Sequence, residues 1–481
     1  MRNFARQPKG FSIFFMTEMW ERYGFYIIQG LLVLYLTQYF HLSDKVSYSI
    51  LGSFTALAYI NPVLGGYIAD KILGAQKSIL WGALLISLGY LVLITSMTHP
   101  MNGFMALGIV AIGTGLLKPN VSTLLGTLYA EDDPRRHAGF TLFYVGINIG
   151  NALSFITGGY LQQYYGWHIT FLAAAVVMLL AFAVFYFGSW HFKLKDSNQI
   201  VYGVKNYLLA VLFIALMVVF NALMIHSQKI SELVFGLIAI LSVLYILKEA
   251  FKSEKEIRYR LIAYLALVCI SVFFWAIFFQ MFLSMNLFID RVVDRTVFGY
   301  TIPTTVFLAI ESFGVIFLGP VLSFLWQYLE RRHLSPSTPM KFALGLLILT
   351  VAFAVLFFSS LSVNAHGQVF AVWLVLVYIM LAFGELLLSP TGLAMVTELA
   401  PKHLSGVMMG VFFVSLGLGG KLAGVIANFA AIPDSFQSLA QMEGIYHHAF
   451  EIYMIISLVI TLISFVVVRW IKNLVGTKGY F

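Results

Sequence analysis

Charged residues are scarce in this sequence. Asp, Glu, Lys and Arg make up 10% of its 481 residues, whereas about a quarter of the residues in a soluble domain are charged. Hydrophobic residues make up 60%, and the mean hydropathy is +0.90. No stretch of mixed composition is long enough for a soluble domain, so we expect an integral membrane protein whose function resides in its membrane-spanning part.

Cysteine is almost absent, since Cys269 is the one thiol in the chain. A single thiol excludes a disulfide framework and argues against a cysteine metal site. The sequence also has no evident nucleophile–base set, zinc-ligand spacing or phosphate-binding loop. We therefore expect neither an enzyme nor a metal or cofactor site.

A signal peptide is not evident either. The N-terminus, MRNFARQPKG, is basic and leads directly into a span that carries charges. It lacks the short apolar segment and small-residue cleavage site of a secretory signal. We interpret it as a cytoplasmic tail.

Long apolar runs recur from end to end of the chain. A helix needs about 20 apolar residues to cross the hydrocarbon core of a bilayer. Fourteen segments meet this requirement: 11–38, 46–70, 77–98, 101–127, 138–163, 168–190, 203–224, 231–248, 260–289, 298–328, 341–361, 368–397, 404–431 and 446–470.

The charges between these segments predict the orientation. Twenty-one Lys and Arg residues lie in alternate connections and at the termini, against four, Lys45, Lys229, Arg291 and Arg295, in the opposite connections. Cytoplasmic loops carry the excess of positive charge, so both termini should be cytoplasmic. This bias also explains the formal net charge of +8, so the lipid bilayer and not a nucleic acid is the expected partner.

The chain divides near its middle. Two spans bracketed by charged runs look peripheral, and without them six spans precede and six follow. This arrangement predicts an all-α membrane protein with two six-helix bundles, at 1–190 and 259–481, joined by a linker with two peripheral helices at 191–258. Small residues in IGTG, GINIGN and TGGY should let helices of the first bundle approach closely.

Once the loop charges are assigned, seven charged residues remain in the predicted membrane interior. Ionisable groups at membrane depth are costly and usually face a polar cavity or one another, which makes them candidates for function. The alternative is that they form static ion pairs, and Lys421, near the end of its span, has the further alternative of reaching the membrane interface. They are Glu18, Glu21, Arg22, Lys118, Glu311, Glu385 and Lys421.

The first span carries a polar stripe. Residues Glu18, Arg22, Phe25, Tyr26 and Gln29 follow helical spacing, so they fall on one face, with Glu21 at its border. The Arg22 guanidinium is permanently charged and suits a carboxylate. A Glu beside it stays ionised while paired and is easier to protonate when its partner is removed, which is a proton switch in principle.

Further polar and aromatic residues complete the candidate cavity. Lys118 precedes Pro119, and a proline ring frees a backbone carbonyl in its helix. For the aromatic residues alone, simple packing is the alternative, because 44 Phe and 25 Tyr make such residues common here. The set comprises Tyr59, Tyr144, Asn148, Trp275 and Gln280.

Four ordered motifs resemble the proton-dependent oligopeptide transporter family of the major facilitator superfamily. EMWERY at 18–23 resembles its ExxER signature, and GGYIADKILG at 65–74 its cytoplasmic loop motif. FTLFYVGINIGN at 140–151 resembles its fifth-span signature, and GELLLSPTGLAMV at 384–396 its tenth-span motif. The likeness extends from the first span to near residue 432 and includes the two peripheral helices of bacterial members.

The resemblance implies import of di- and tripeptides into bacteria across the inner membrane, driven by protons through alternating access. Arg22 and Lys118 would bind the peptide carboxylate, and Glu385 and Asn148 its amino terminus. Side-chain pockets would be lined by Tyr26, Tyr59, Tyr144, Trp275 and Gln280. The proton-coupling residues would be Glu18, Glu21, Arg22, Lys118 and Glu385. We expect the transporter to act as a monomer.

Several positions depart from the family pattern. Many members have Tyr at Phe25 and a second Arg at Gln29, which leaves the carboxylate end with one cation fewer here. Members often have an acid at Phe279, Asn-Pro at Glu311-Ser312, and Trp at Phe412. We include Gln29, Glu311, Ser312 and Phe412 among the candidate substrate-binding residues.

Glu311 suggests a compensation. We hypothesise that it replaces the missing seventh-span acid near the peptide amino terminus; the alternatives are that it pairs with a cation such as Lys421 or stays solvated at the entrance. The alternative function for the whole chain is a proton-coupled carrier of another small solute, such as a nitrate-like anion or an amphipathic drug. A channel is disfavoured, because the sequence shows no charged ring or filter.

Overall fold

The computed structural model describes residues 7–99, 101–130, 132–194, 203–401, 403–433, 435 and 438–475. Arg2, Arg6, Lys195, Lys402 and Lys478, which contributed to the predicted charge bias, lie outside these ranges, as do most of the predicted cytoplasmic tail and part of the linker. The described chain is almost entirely helical. Within a helix, backbone polar groups away from its ends and from internal prolines are bonded to one another, as the bilayer core requires.

The helices follow the predicted spans closely. They are α1 (Phe11–Leu34), α2 (Asp44–Ile68), α3 (Ala75–Thr95), α4 (Met101–Gly126), α5 (Arg135–His191), α6 (Val204–His226), α7 (Gln228–Lys252), α8 (Lys255–Phe278), α9 (Ser284–Arg291), α10 (Val306–Arg331), α11 (Thr338–Ser359), α12 (Val372–Leu399), α13 (Ser405–Ile426) and α14 (Leu439–Val475). Wider π-helical turns, Tyr35–Tyr39 and Ala69–Leu73, extend α1 and α2.

Eleven stretches of the described chain are long and apolar enough to span a membrane. One of them is α5, which is kinked at Gly166, where φ is 78°. Glycine adopts this left-handed conformation without steric cost. The kink therefore separates the two predicted spans 138–163 and 168–190. With α1, which carries three buried charges, and α2 also of spanning length, the predicted total of fourteen is roughly matched.

The predicted boundaries are wrong at the start of the tenth span. It was expected from residue 298, but α10 begins at Val306. Residues 296–301 instead form a small antiparallel hairpin, β2 (Thr296–Val297) with β3 (Tyr300–Thr301), and β1 (Val293–Asp294) pairs in parallel with β4 (Val369–Phe370). Phe298 and Gly299 at the turn have positive φ, 50° and 82°, a conformation that a helix excludes.

The predicted span 260–289 is interrupted. A short 3₁₀ turn, Phe279–Phe282, separates α8 from α9. The Gln280 side chain takes part in this break: its Nε2 donates to Ala276 O at 3.1 Å and to Ala423 O at 2.9 Å. Its Oε1 accepts a hydrogen bond from Ser284 Oγ at 2.7 Å. The side-chain amide thus satisfies polar groups around the break.

The chain forms two compact units. The first unit comprises Met1–Leu32 and Leu57–Gln228, and the second comprises Val33–Ala56 and Lys229–Phe481. In the first unit α4 packs on α3 and on α6, and α5 packs on α3. In the second unit α11 packs between α12 and α14, α13 packs on α8, and α10 packs on α12.

Glycine permits a close contact between α2 and α4 in the first unit. A Cβ built on Gly65 of α2 would lie 1.9 Å from Gly115 O of α4. Pro119 has no N–H, so this Gly115 carbonyl lacks its usual partner four residues later in α4. The helix nevertheless continues through Pro119 to Gly126. The structure thus places α2 against the carbonyl that the proline frees.

In the second unit an ion pair joins the start of α2 to α9. Arg291 Nη1 and Nη2 donate to the two Asp44 carboxylate oxygens at 2.7 and 2.8 Å. The Ile432 N–H also donates to Asp44 Oδ2, at 2.9 Å. The sequence analysis treats Arg291 as a loop charge, so this bidentate pair is an addition from the structure.

Candidate functional site

The charged stripe of α1 is buried, as predicted. Glu18, Glu21 and Arg22 are 2%, 0% and 2% exposed. Arg22 Nε donates to Glu21 Oε2 at 2.5 Å, Arg22 Nη2 contacts the same oxygen, and Arg22 Nε lies 3.4 Å from Glu18 Oε1. The Arg22 guanidinium therefore pairs with the carboxylates of both Glu18 and Glu21. We call these three residues the α1 ionic cluster.

Helix α4 adds a hydroxyl and a second cation to this cluster. Thr114 Oγ1 donates to Glu21 Oε1 at 3.4 Å. Lys118, one turn further along α4, interacts electrostatically with Glu18, and its Nζ lies 4.8 Å from the centre of the Tyr59 ring. The structure thus brings Lys118 and Tyr59 to the α1 ionic cluster within the first unit.

Aromatic side chains surround the cation of α1. The Arg22 guanidinium carbon lies 4.9 Å from the centre of the Phe25 ring. Tyr26 interacts electrostatically with Arg22 and packs edge-on against Phe155 of α5 at 5.4 Å between ring centres. Gln29, one turn beyond, is buried. The face predicted from helical spacing is therefore an internal face of α1.

The two polar candidates of α5 lie one turn apart. Asn148 is buried, and its Nδ2 donates to Tyr144 O at 3.0 Å, whereas Tyr144 is partly exposed. A Cβ on Gly150 would lie 2.2 Å from Met19 O. This close approach of α5 to α1 brings the segment that carries Asn148 against the helix of the ionic cluster.

In the second unit Trp275 belongs to an aromatic group. Its ring stacks on Phe279 at 5.4 Å between ring centres, and its Nε1 is buried without a hydrogen-bond partner among the described residues. Phe279, at the position where many family members have an acid, is thus a packing residue here. Gln280 beside it is fully buried, and its side-chain amide is hydrogen-bonded at the break between α8 and α9.

Phe412 of α13 packs on α12. A Cβ on Gly392 would lie 2.2 Å from the ζ carbon of its ring, so the ring occupies the space left by that glycine, two residues after Pro390. Phe412 is 2% exposed. It therefore fixes the spacing of α12 and α13 in the second unit.

Glu311 and Ser312 of α10 are buried beside Glu385 of α12. The Ser312 hydroxyl donates to Glu311 Oε2 at 3.2 Å, and Glu311 and Glu385 interact electrostatically. Glu385 is partly exposed. Glu311 is thus not solvated at an entrance.

The alternative pairing of Glu311 with Lys421 is not found. Lys421 Nζ donates to Ser53 Oγ at 3.2 Å, and the Ser53 hydroxyl lies 3.0 Å from that of Ser231 in α7. Lys421 also interacts with Glu232. Lys421 is buried, so it does not reach the interface, and one predicted peripheral helix contributes to its surroundings.

Sequence reasoning missed Tyr378 and Asp44. Tyr378 of α12 is fully buried, its hydroxyl has no partner among the described residues, and it acts electrostatically on Glu311. Its spacing of seven residues from Glu385 places both on one helical face, a signal that was available. Asp44 begins a helix, where an acid is unremarkable, so no local signal predicted its ion pair.

Among the described residues no cluster of His, Cys, Asp and Glu is suited to a metal ion.

Comparison with known proteins gives a consistent picture. Residues 76–445 match the model of the POT family. The chain is 30% identical over 476 residues to dipeptide and tripeptide permease B of Salmonella typhimurium, covering 98% of this chain and 97% of the relative. Such relatives are permeases and not enzymes.

Solved structures agree with the sequence matches. A solved structure from work on substrate recognition in proton dependent oligopeptide transporters superposes with a TM-score of 0.85 at 29% identity, covering 96% of this chain and 99% of that one. A structure described as tetrameric PepTSo2 gives a TM-score of 0.86 at 28% identity, with coverages of 96% and 98%. The protein is a multi-pass membrane transporter with the major facilitator fold. The chain belongs to the POT family.

Proposed function

We propose that the protein imports di- and tripeptides together with protons by alternating access. The observation that carries the proposal is the α1 ionic cluster, in which one buried arginine serves two buried acids. A charge arrangement of this kind is costly in a membrane and has no packing advantage over apolar side chains. The names of the relatives, which are dipeptide and tripeptide permeases, supply the substrate class.

The first unit would bind the peptide carboxylate. Arg22 offers a planar donor set that suits a carboxylate, and Lys118 adds a second positive charge near Glu18. Tyr26, Gln29 and Tyr59 would complete this end. With Gln29 where many members have Arg, the two cations of α1 and α4 carry the whole electrostatic attraction.

The second unit would bind the peptide amino terminus through Glu385, with Glu311 as an additional acid and Ser312 as its hydrogen-bond donor. For Asn148 of the first unit, the proposed role is taken from the family resemblance. A charge-assisted hydrogen bond is roughly twice as strong as a neutral one, so acids suit an ammonium group better than amides do. Side-chain pockets would be lined by Tyr144, Trp275, Gln280 and Phe412, and tight binding of the peptide ends with loose recognition of its side chains would explain broad specificity.

Proton coupling would act through the shared arginine. While Arg22 pairs with Glu21, the acid stays ionised. A peptide carboxylate competes for Arg22, and an acid that loses its cation in a buried place is protonated more readily. Peptide binding and proton binding therefore favour one another. Glu18, Lys118 and Glu385 would take part in passing the proton inward.

The remaining organisation follows the sequence-based expectations. We propose two six-helix bundles, 1–190 and 259–481, joined by the linker 191–258, in the bacterial inner membrane with both termini cytoplasmic. The charge bias supports this orientation. We propose a monomer as the transporting unit, and the tetrameric form of one structural neighbour makes the oligomeric state worth measuring by light scattering.

Counterflow in proteoliposomes tests the proposed function. Vesicles loaded with unlabelled dialanine should accumulate labelled dialanine, and an inward proton gradient should drive net uptake. Tripeptides should compete, whereas nitrate and amphipathic drugs should not. Competition by nitrate alone, with no effect of any peptide, would favour the alternative function instead.

A further inference from the structure

The peripheral helix α7 carries a buried hydroxyl group. Of its 25 residues, the buried ones are Ser231, Phe235, Ile246 and Ala250, so Ser231 is the polar member of a small apolar set. A buried hydroxyl group without a hydrogen bond is costly, and the Ser231 side chain therefore requires a partner. It has one in α2, because Ser231 Oγ lies 3.0 Å from Ser53 Oγ.

Ser53 also accepts a hydrogen bond from a buried cation. Lys421 Nζ of α13 donates to Ser53 Oγ at 3.2 Å, and Ser53 and Lys421 are 1% and 7% exposed. A hydroxyl group can accept from the ammonium group and still donate its own hydrogen to Ser231. The side chains thus form a continuous chain of hydrogen bonds across α13, α2 and α7. We call Lys421, Ser53 and Ser231 the three-helix polar chain.

This chain opposes a separation of α2 from α13. Ser53 is the hydrogen-bond partner that the described residues give to Lys421 Nζ, and a buried cation that loses its partner is destabilising. Glu232, the neighbour of Ser231 in α7, interacts electrostatically with Lys421, and this attraction draws α7 towards α13 as well. Ser53 of α2 is therefore held from two sides.

The backbones of α2 and α13 lie close together beside the polar chain. A Cβ built on Gly52 would lie 3.0 Å from Gly420 O and 3.1 Å from the Cα of Gly424. Small residues four positions apart, such as Gly420 and Gly424, let membrane helices approach closely. Ser53 follows Gly52 in sequence, and Lys421 follows Gly420. The polar chain thus adds directional hydrogen bonds to a contact that glycines make by shape alone.

Helix α2 contributes to both units of the chain. It belongs to the second unit up to Ala56 and to the first unit from Leu57 onwards. The three-helix polar chain and its glycines all lie in the second unit. A contact that holds the first part of α2 in the second unit bears on how readily this helix changes its neighbours.

We propose that the peripheral helix α7 is a latch for α2. Through Ser231 and Ser53 it holds the first part of α2 against α13 and limits how often this contact opens. The latch itself is independent of the substrate, and its relevance to transport rests on the proposed function. Where the contact opens during alternating access, α7 shifts the equilibrium towards the closed state.

Thiol reactivity measures how often the contact opens. Thr55→Cys in a Cys269→Ser background places one thiol on α2, at a position that is 1% exposed. A Cβ on Gly420 of α13 would lie 2.7 Å from the Thr55 Cγ2, so the thiol faces α13. N-ethylmaleimide should react with it only while α2 is away from α13. The rate is measured on the purified full-length protein in detergent, without peptide.

An interhelical hydrogen bond in a membrane protein changes an equilibrium constant by about threefold on average. Ser231→Ala removes one bond of the chain and should raise the labelling rate about threefold. Ser53→Ala removes two bonds and should raise it roughly tenfold. Leu233→Ala is the matched control, because Leu233 is exposed on the same helix two residues from Ser231. It should keep the rate of the reporter alone.

A second reporter distinguishes the latch from general loosening of the fold. Lys45→Cys, at an exposed position of α2, should be labelled at the same rate with and without Ser231→Ala. Equal rates for the Thr55→Cys reporter with and without Ser231→Ala would overturn the latch, and so would an equal acceleration by Leu233→Ala. If Ser231→Ala accelerates the labelling as expected but counterflow detects no peptide transport, the proposed function fails and the latch stands.

Discussion

At the scale of single residues, Arg22 is the cation that pairs with both buried acids of α1. Both Glu18 and Glu21 pair with its guanidinium, and Glu18 Oε2 has no hydrogen-bond partner among the described residues. Any ligand that takes donors from Arg22 therefore exposes an acid to an environment that favours its neutral form. This competition explains how a carboxylate and a proton can bind cooperatively without direct contact.

Glu21→Gln tests this competition. The variant cannot take up the coupled proton, so peptide affinity should lose most of the proton-uptake component of its pH dependence, up to ~tenfold per pH unit. The measurement is dialanine binding between pH 5 and 8 in the wild type and in Glu21→Gln. A pH profile that Glu21→Gln leaves unchanged would remove Glu21 as the coupling site.

Lys118→Ala should abolish proton-driven uptake. It removes one of two cations proposed for the peptide carboxylate, and loss of a hydrogen bond to a charged group costs about 1.5–3 kcal/mol, or ~10–100-fold in affinity. Exchange of labelled for unlabelled peptide at high concentration should persist if binding is weakened and coupling is lost. Lys229→Ala, at an exposed lysine, is the control. Full proton-driven accumulation by Lys118→Ala would exclude this residue from the mechanism.

At the scale of helices, close packing depends on a few glycines. Gly65 and Gly66 are neighbours in α2, but a Cβ on Gly65 would lie 1.9 Å from Gly115 O, whereas one on Gly66 would have no atom within 4 Å. Gly65→Ala should therefore push α2 away from α4, at a cost of about 1–3 kcal/mol or more. Gly66→Ala should be neutral or slightly stabilising.

Thermal unfolding in detergent measures this difference. We expect a lower Tm and lower yield of folded protein for Gly65→Ala than for Gly66→Ala. Equal melting temperatures would mean that α2 and α4 can separate without cost.

The ion pair between Asp44 and Arg291 gives a second prediction for the helices. Asp44→Asn leaves Arg291 and the Ile432 N–H with a weaker acceptor, and loss of hydrogen bonds to a charged group costs about 1.5–3 kcal/mol. The Tm should fall, and it should fall less at high salt, because Arg291 is partly exposed and salt weakens its pairing already in the wild type. Lys45→Gln, at the exposed neighbouring position, should leave the Tm unchanged.

The helices also show where sequence reasoning succeeds and where it stops. Apolar length predicted the spans, and helical spacing predicted the buried face of α1, because both depend on local order in the chain. The hairpin at 296–301 was missed because its residues, such as Val297 and Phe298, are as apolar as those of a span. The break at Gln280 was missed because one of its hydrogen bonds reaches Ala423, far away in sequence.

The side-chain contacts of the candidate site were predictable only in part. Local spacing predicts contacts within one helix but not contacts between helices. The spacing of Glu18, Glu21 and Arg22 within one helix predicted their contact. The interaction of Glu311 with Glu385 joins two helices, and the sequence suggested only that both residues belong to one region. Tertiary packing decides which partner a buried charge finds, and that information is not carried by local spacing.

At the scale of the whole molecule, the charge bias predicts the orientation in the membrane. The single native thiol makes this testable, because Cys269→Ser gives a cysteine-free background. In that background Lys45→Cys and Arg136→Cys place one thiol each in connections expected on opposite sides. Both native side chains are exposed, so both thiols should be reactive.

A membrane-impermeant maleimide applied to intact spheroplasts should label Lys45→Cys at once and Arg136→Cys only after the membrane is permeabilised. The physical reason is that cationic connections are retained on the cytoplasmic side, and the connection with Arg135 and Arg136 belongs to that set. Labelling of Arg136→Cys in intact spheroplasts would invert the proposed topology. The direction of transport would then need a new explanation, because protons move inward down their gradient and the peptide is carried with them.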